Sequence, residues 1–478
     1  MAPTLTSAAH HGSGPKAPIR PVCRVGGVRV QTACSHRPRP SPDTGRRGRP
    51  LTRRHTGAVP ITGVATPADH ALQRRTVTTL VGSQMLGGVG VSSGIAVGSL
   101  LAEQVLGSPD LAGLGGTFQV LGGAVIAVPM ARIMARRGRR PGLNFGYLLG
   151  IAGALALIAA GVVGSFPLLL AGSVLFGGAT TANSQARYAA ADLAEERHRG
   201  RDLSVVVWAT TIGAVLGPNL VGLAGRLAGV LGIPALTGPF LFSLAGFVLA
   251  GLLLAVRLRP DPLLHARARA EAAAVEPLEH HGSVWRGFRV AAGIPATLLG
   301  MLTVALGHAV MVSVMVMTPL QMHHGGAELR VIGLVISIHI LGMYAFSPLV
   351  GFAVDRFGAR SMALVGSGVL VAAALLASRA PTGWSMGLTV ALFLLGVGWS
   401  FTLVSGSTLI AGSVPVAERA GVQGASDLAM GLAAGGGGAL AGLVVGQLGY
   451  DVLGLGAAVV AASIAVAAVV VRRPAATV

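Results

Sequence analysis

The stretch SPLVGFAVDRFGAR, Ser347 to Arg360, closes an apolar run with Asp355, Arg356 and Arg360 set around Gly358. Much earlier, PMARIMARRGRRPGL, Pro129 to Leu143, sets Arg136, Arg139 and Arg140 around Gly138 in nearly the same way. The two glycines stand 220 residues apart. A charged turn written twice, each time after a long apolar segment, directs attention to what surrounds it.

The surroundings are membrane-like. The chain has 478 residues, of which 52% are hydrophobic and only 11% charged, with a mean hydropathy of +0.70. Soluble domains carry roughly 25% charged residues. Gly, here 71 residues, is commoner in membrane helices than in soluble ones. Stretches of about 20 apolar residues, enough to cross roughly 30 Å of hydrocarbon, fall near 77–101, 110–132, 142–164, 167–190, 203–226, 236–256, 294–320, 330–353, 361–379, 386–411, 420–446 and 452–471. Each must be helical, because unpaired backbone polar groups are too costly in lipid. The runs are too long, and alternate too little, for barrel strands. The expected fold class is an all-α integral membrane protein with about twelve spans.

Arg placement orients it. Arg clusters fall in the second-to-third, fourth-to-fifth, sixth-to-seventh, eighth-to-ninth and tenth-to-eleventh connections and after the last span, while the opposite connections carry little beyond Arg226, Arg330 and Arg379. By the positive-inside rule both termini are expected in the cytoplasm of a multi-pass cell-membrane protein. The net charge of +19 is then a topology signal plus a basic tail, and no argument for nucleic acid. That tail, residues 1–75, is rich in Pro, Arg, Gly and Ser and is expected to be disordered. Both cysteines, Cys23 and Cys34, sit in it, so thiolate metal sites and disulfides are not expected in the spans.

A polar segment at 258–290 divides the spans into six, residues 76–257, and six, residues 291–474. Repeated halves of this kind are a transporter device, in which two bundles rock about a central site. The chain resembles the major facilitator superfamily. Gly351, Asp355, Arg356, Gly358 and Arg360 match that family's loop signature, and Arg136, Gly138, Arg139 and Arg140 form a degraded first copy with Ala135 in place of the Asp and Ala131 in place of the first Gly. The resemblance implies a latch favouring one access state, weakened in the first half. Gly213, Gly217 and Pro218 resemble a fifth-helix pattern associated with proton-coupled antiporters, which implies efflux driven by a proton gradient, with no cofactor, by a monomer. One departure stands out: the fourth span carries no charge near Ser173 or Val174, where many drug exporters have an Arg, and Arg187 comes a few turns later.

Ionisable groups at membrane depth are expensive unless paired or neutralised, and are usually functional. Asp427 lies about eight residues into the eleventh span, with Gln423 one turn before it. It is a candidate proton carrier, or alternatively a capped Asp or a partner for Arg187 or Arg356. His308, Met311 and Met315 share a face of the seventh span, and His339 lies in the eighth at a similar depth. The two histidines could carry protons, touch substrate, bind a soft or borderline metal, or simply pack. With Gln84, Trp399, Ser405 and Gln423 they outline a mixed apolar and polar cavity suited to a lipophilic or amphiphilic compound. No Walker-type loop and no catalytic constellation is present, so an ATP-driven pump and an enzyme are not expected. The classes left are a secondary transporter, exporting an organic compound or taking up a metal or chelate, and a membrane sensor on the same fold.

Overall fold

The computed structural model describes residues 67–107, 113–273 and 282–470, and among them the regular structure is helical throughout. The first half contains α1 (Pro67–Leu106), α2 (Leu114–Arg137), α3 (Arg139–Val163), α4 (Phe166–Ala191), α5 (Arg199–Asn219), α6 (Val221–Val230) and α7 (Gly238–Arg257). Two helices follow in the connection, α8 (Pro262–Ala273) and α9 (Val284–Gly293). The second half contains α10 (Pro295–His324), α11 (Leu329–Tyr344), α12 (Ser347–Phe357), α13 (Ala359–Ser378), α14 (Met386–Ser413), α15 (Arg419–Leu448) and α16 (Tyr450–Val470). Among the described residues eleven helical stretches are long and apolar enough to span a membrane, α11 and α12 together making one, and α5 with α6 makes a twelfth, bent by 53°. Pro218 lies at the end of α5, just before that break, where its missing donor and its ring disfavour a straight helix.

The spans agree with the apolar runs; two details differ. The first helix starts at Pro67, inside the 1–75 segment expected to be disordered. Pro at the first helical position and Asp69 in the first turn suit a helix start, and their signal precedes the apolar run. Residues 1–66, with both cysteines, lie outside the described residues. The 258–290 connection is not simply a polar loop but holds α8 and α9. The Ser283 side chain caps α9 by accepting from the Arg286 amide.

The twin turns are built alike. Gly138 and Gly358 each follow a span with positive φ, 91° and 86°, a conformation that costs other residues strain. Each ends one helix and starts the next without an intervening loop. One buried apolar cluster fills the first half, a second fills the other half, and a third joins α2, α9, α10, α14 and α15. The outer faces of α3, α7, α13 and α16 carry exposed Leu and Val such as Leu148, Leu252, Leu376 and Val459. In a bilayer that face is solvated by lipid, so its exposure carries no penalty.

Candidate functional site

Polar groups gather where the halves meet, at the ends of the spans that carry the twin turns. At membrane depth, Arg187 of α4 donates from Nη2 to Asp427 Oδ1 of α15 at 2.7 Å. Gln185 Nε2 donates to the other carboxylate oxygen at 2.8 Å, and Arg187 Nε donates to Ser407 of α14 at 3.1 Å. Tyr188 and Ser426 hydroxyls lie 3.3 Å apart across the same seam. Arg187 and Asp427 side chains are 4% and 3% exposed, so the pair is buried. Such a pair holds together only because further hydrogen bonds satisfy both ions.

One turn nearer the chain's twin turns lies a second cluster. Arg139 grips Asp192 with its Nε and Nη2 edge, at 2.7 and 3.1 Å, the two-pronged geometry that suits a carboxylate. Its Nη2 also donates to Gln423 Oε1 in the other half. Arg419, at the start of α15, donates to the Asp192 backbone carbonyl at 3.2 Å. On the other side of the seam, Asp355 accepts from the amides of Gly200 and Arg201 at 2.7 and 2.8 Å. Those are the first amides of α5, which have no partner within their own helix. Among the described residues, every hydrogen bond between the two halves lies at this end of the molecule. The halves are therefore closed on the twin-turn side.

His308 accepts from the Trp399 indole through Nδ1 at 2.7 Å, and Tyr344 stands edge-on to the Trp399 ring with centroids 5.4 Å apart. Met311 and Met315 pack in the second-half core beside it. His339 is fully buried and contacts the Leu392 carbonyl through Nδ1 at 2.8 Å. The two histidines thus engage α14 seven residues apart, about 10 Å by helix rise, and do not converge on one ion. Gln84 donates to Thr210 at 2.8 Å between α1 and α5. Ser405 bonds back to the Phe401 carbonyl of its own helix. Gln423 belongs to the Arg139 cluster rather than to a cavity wall. Asp427 is paired with Arg187, and Arg356 is exposed.

The fifth-helix glycines serve a close crossing. A Cβ on Gly88 of α1 would lie 3.4 Å from Gly213 Cα, and Ser92 donates to the Gly213 carbonyl. Arg360 donates to the Ala468 carbonyl at 2.6 Å, tying the second turn to the end of α16. Arg136 is exposed. Sequence reasoning missed Asp192, Gln185 and Tyr344. Asp192 was the most findable, being the first carboxylate after the fourth apolar run.

Two six-span halves, closed against each other at repeated glycine turns, define a membrane transporter rather than an enzyme. The model of the Major Facilitator Superfamily matches residues 79–329 and 315–478, and the chain belongs to that superfamily. It is 39% identical over 391 residues to the uncharacterized MFS-type transporter YddS of Bacillus subtilis, covering 82% of this chain and 89% of the relative. It is 29% identical over 376 residues to the riboflavin transporter RfnT of Brucella anthropi, covering 76% and 87%. The proton:xylose symporter XylE superposes with a TM-score of 0.64 at 16% identity, over 83% of this chain and 95% of that one, and shares the fold.

Proposed function

We propose that this superfamily member is a proton-coupled secondary transporter that exports a small lipophilic or amphiphilic organic compound by alternating access. The observation that carries the reading is the Arg187–Asp427 pair, the ion pair at membrane depth that joins the two halves. A proton on Asp427 removes the charge that holds Arg187, weakens the seam between α4 and α15, and favours opening on that side. Loss of the proton restores the pair and closes it. The positive-inside reading puts the twin-turn side in the cytoplasm, and on that reading the described state is closed to the cytoplasm.

The substrate reading rests on Trp399, Tyr344 and His308, which offer flat ring surfaces with few charges. Aromatic faces favour flat ligands through offset and edge contacts. A flat heteroaromatic compound fits this wall, and riboflavin, the compound named for one relative, is a suitable first probe. Metal uptake is the less favoured reading, because His308 and His339 turn to different parts of α14.

Flux in proteoliposomes under an imposed pH gradient tests the proposal. Gradient-driven movement of a flat organic probe, abolished by collapsing the gradient, supports it. Probe binding without flux under any gradient would favour a sensor.

A further inference from the structure

The two turns differ in who holds them. In the second half, Asp355 caps α5 of the opposite half, and a Cβ on Gly358 would meet nothing within 4 Å. In the first half the matching residue is Ala135, and the connection between the halves crowds the turn. Asp261, just before α8, accepts from the Arg140 amide at 2.7 Å and from the Leu263 and Leu264 amides at 3.1 and 3.3 Å. One carboxylate therefore serves the starts of both α3 and α8. A Cβ on Gly138 would lie 2.5 Å from that carboxyl carbon.

Arg267 of α8 completes the contact. It is 4% exposed, and its Nη1 donates to the Ala135 carbonyl. Among the described residues its Nε and Nη2 are buried without a partner. That is the same edge with which Arg139 grips Asp192, on a guanidinium whose other nitrogen bonds the backbone of Ala135, the position that has lost its carboxylate. Leaving such donors buried and unpaired is costly, so the placement of Arg267 has to be held by what it does for α2. The other end of the connection is pinned as well: Arg286 of α9 pairs with Glu418 at 2.7 Å, and Gly287 packs against Gly421 in the first turn of α15.

We infer that the connecting helix α8 has replaced the missing aspartate, with Asp261 and Arg267 as positioning residues that hold the α2–α3 turn so that Arg139 reaches Asp192 and Gln423. Asp261 fixes the amide next to Arg139, and Arg267 fixes the last turn of α2. The inference rests on the alternating-access reading above.

The test uses the full chain in nanodiscs, with Cys23 and Cys34 replaced by Ser and Ala191→Cys as reporter. Ala191 is buried at the closed end against the second-half core. Its labelling rate by a charged maleimide reports opening of that end. Asp261→Asn and Arg267→Met should each raise the rate about fivefold or more, the size expected for losing a charge-assisted hydrogen bond. Adding Ala135→Asp should return Asp261→Asn toward the parent rate, because the new carboxylate meets the free edge of Arg267. The same addition should not rescue Arg267→Met. Parent rates in both single variants, or equal rescue of both, would overturn the inference. Arg267→Lys keeps one donor and should give an intermediate rate, which covers a Met variant that does not fold. Asp355→Asn is the control: if it too leaves the rate unchanged, the alternating-access reading fails rather than the role of α8.

Discussion

Arg187 Nη2 and Asp427 Oδ1, 240 residues apart in sequence, meet at 2.7 Å across the seam between the two halves of the molecule. The attraction between two buried ions roughly offsets their desolvation, but removing one partner leaves the other uncompensated, at a cost of about 3–5 kcal/mol. The pair is therefore sensitive to any event that changes the charge on one member.

Asp427→Asn tests that sensitivity. The amide keeps the shape and one acceptor for Gln185 or Arg187 but can no longer gain and lose a proton. Flux driven by a pH gradient should fall to background, while exchange of substrate at equal pH persists. Gradient-driven flux at the parent rate would place coupling elsewhere. Arg187→Met should instead lower thermal stability by about 3–5 kcal/mol, since it strands a buried carboxylate.

The latch at Asp355 is a separate prediction. Its two bonds reach amides that the α5 helix cannot satisfy itself, and caps of this kind are worth about 0.5–2 kcal/mol. Asp355→Asn should therefore shift the population toward opening on the twin-turn side by roughly twofold to thirtyfold. Spin-label distances between the ends of α4 and α14 would measure it, and an unchanged distribution would remove Asp355 from the latch.

The crossing of α1 and α5 depends on the absence of side chains at Gly88 and Gly213. Gly213→Val puts branched carbons against the α1 backbone and breaks the approach that lets Ser92 reach the Gly213 carbonyl. Overpacking of this kind costs about 1–3 kcal/mol. The variant should insert in the membrane, unfold earlier on heating and lose transport. Parent-like flux would mean that the crossing can loosen without consequence.

The spans and the twin turns were readable because each rests on local chemistry: apolar length, and a glycine followed by basic residues. Asp427 stood out for the same reason, as a charge inside an apolar run. Arg187 is one of the two arginines that the sequence offers it as partners; which of the two it takes is set by packing between the halves, not by spacing. Ala135 looked like simple degradation of a motif. Its meaning lies in Asp261 and Arg267, more than 120 residues later, in a connection whose polar composition concealed two helices. Gln423 read as a cavity residue because it shares a face with Asp427, yet in the structure its side-chain oxygen accepts from Arg139 across the seam.

The His308–Trp399 bond makes a prediction about a proton's position. An indole N–H can only donate, so His308 Nδ1 must accept and the ring hydrogen of the neutral imidazole must sit on Nε2. A second proton can be added only by giving up the contact to Trp399 at 2.7 Å. Nitrogen NMR of histidine-labelled protein should therefore find His308 in the Nε2–H form. In Trp399→Phe, which removes the donor and keeps a ring, that preference should be lost. The same variant should weaken binding of a flat probe such as riboflavin by about fivefold, as expected for one lost hydrogen bond at the wall. Uptake of divalent metal ions should be indifferent to His308→Ala. A His308→Ala variant that bound the probe normally but lost metal uptake would reverse the assignment of this wall.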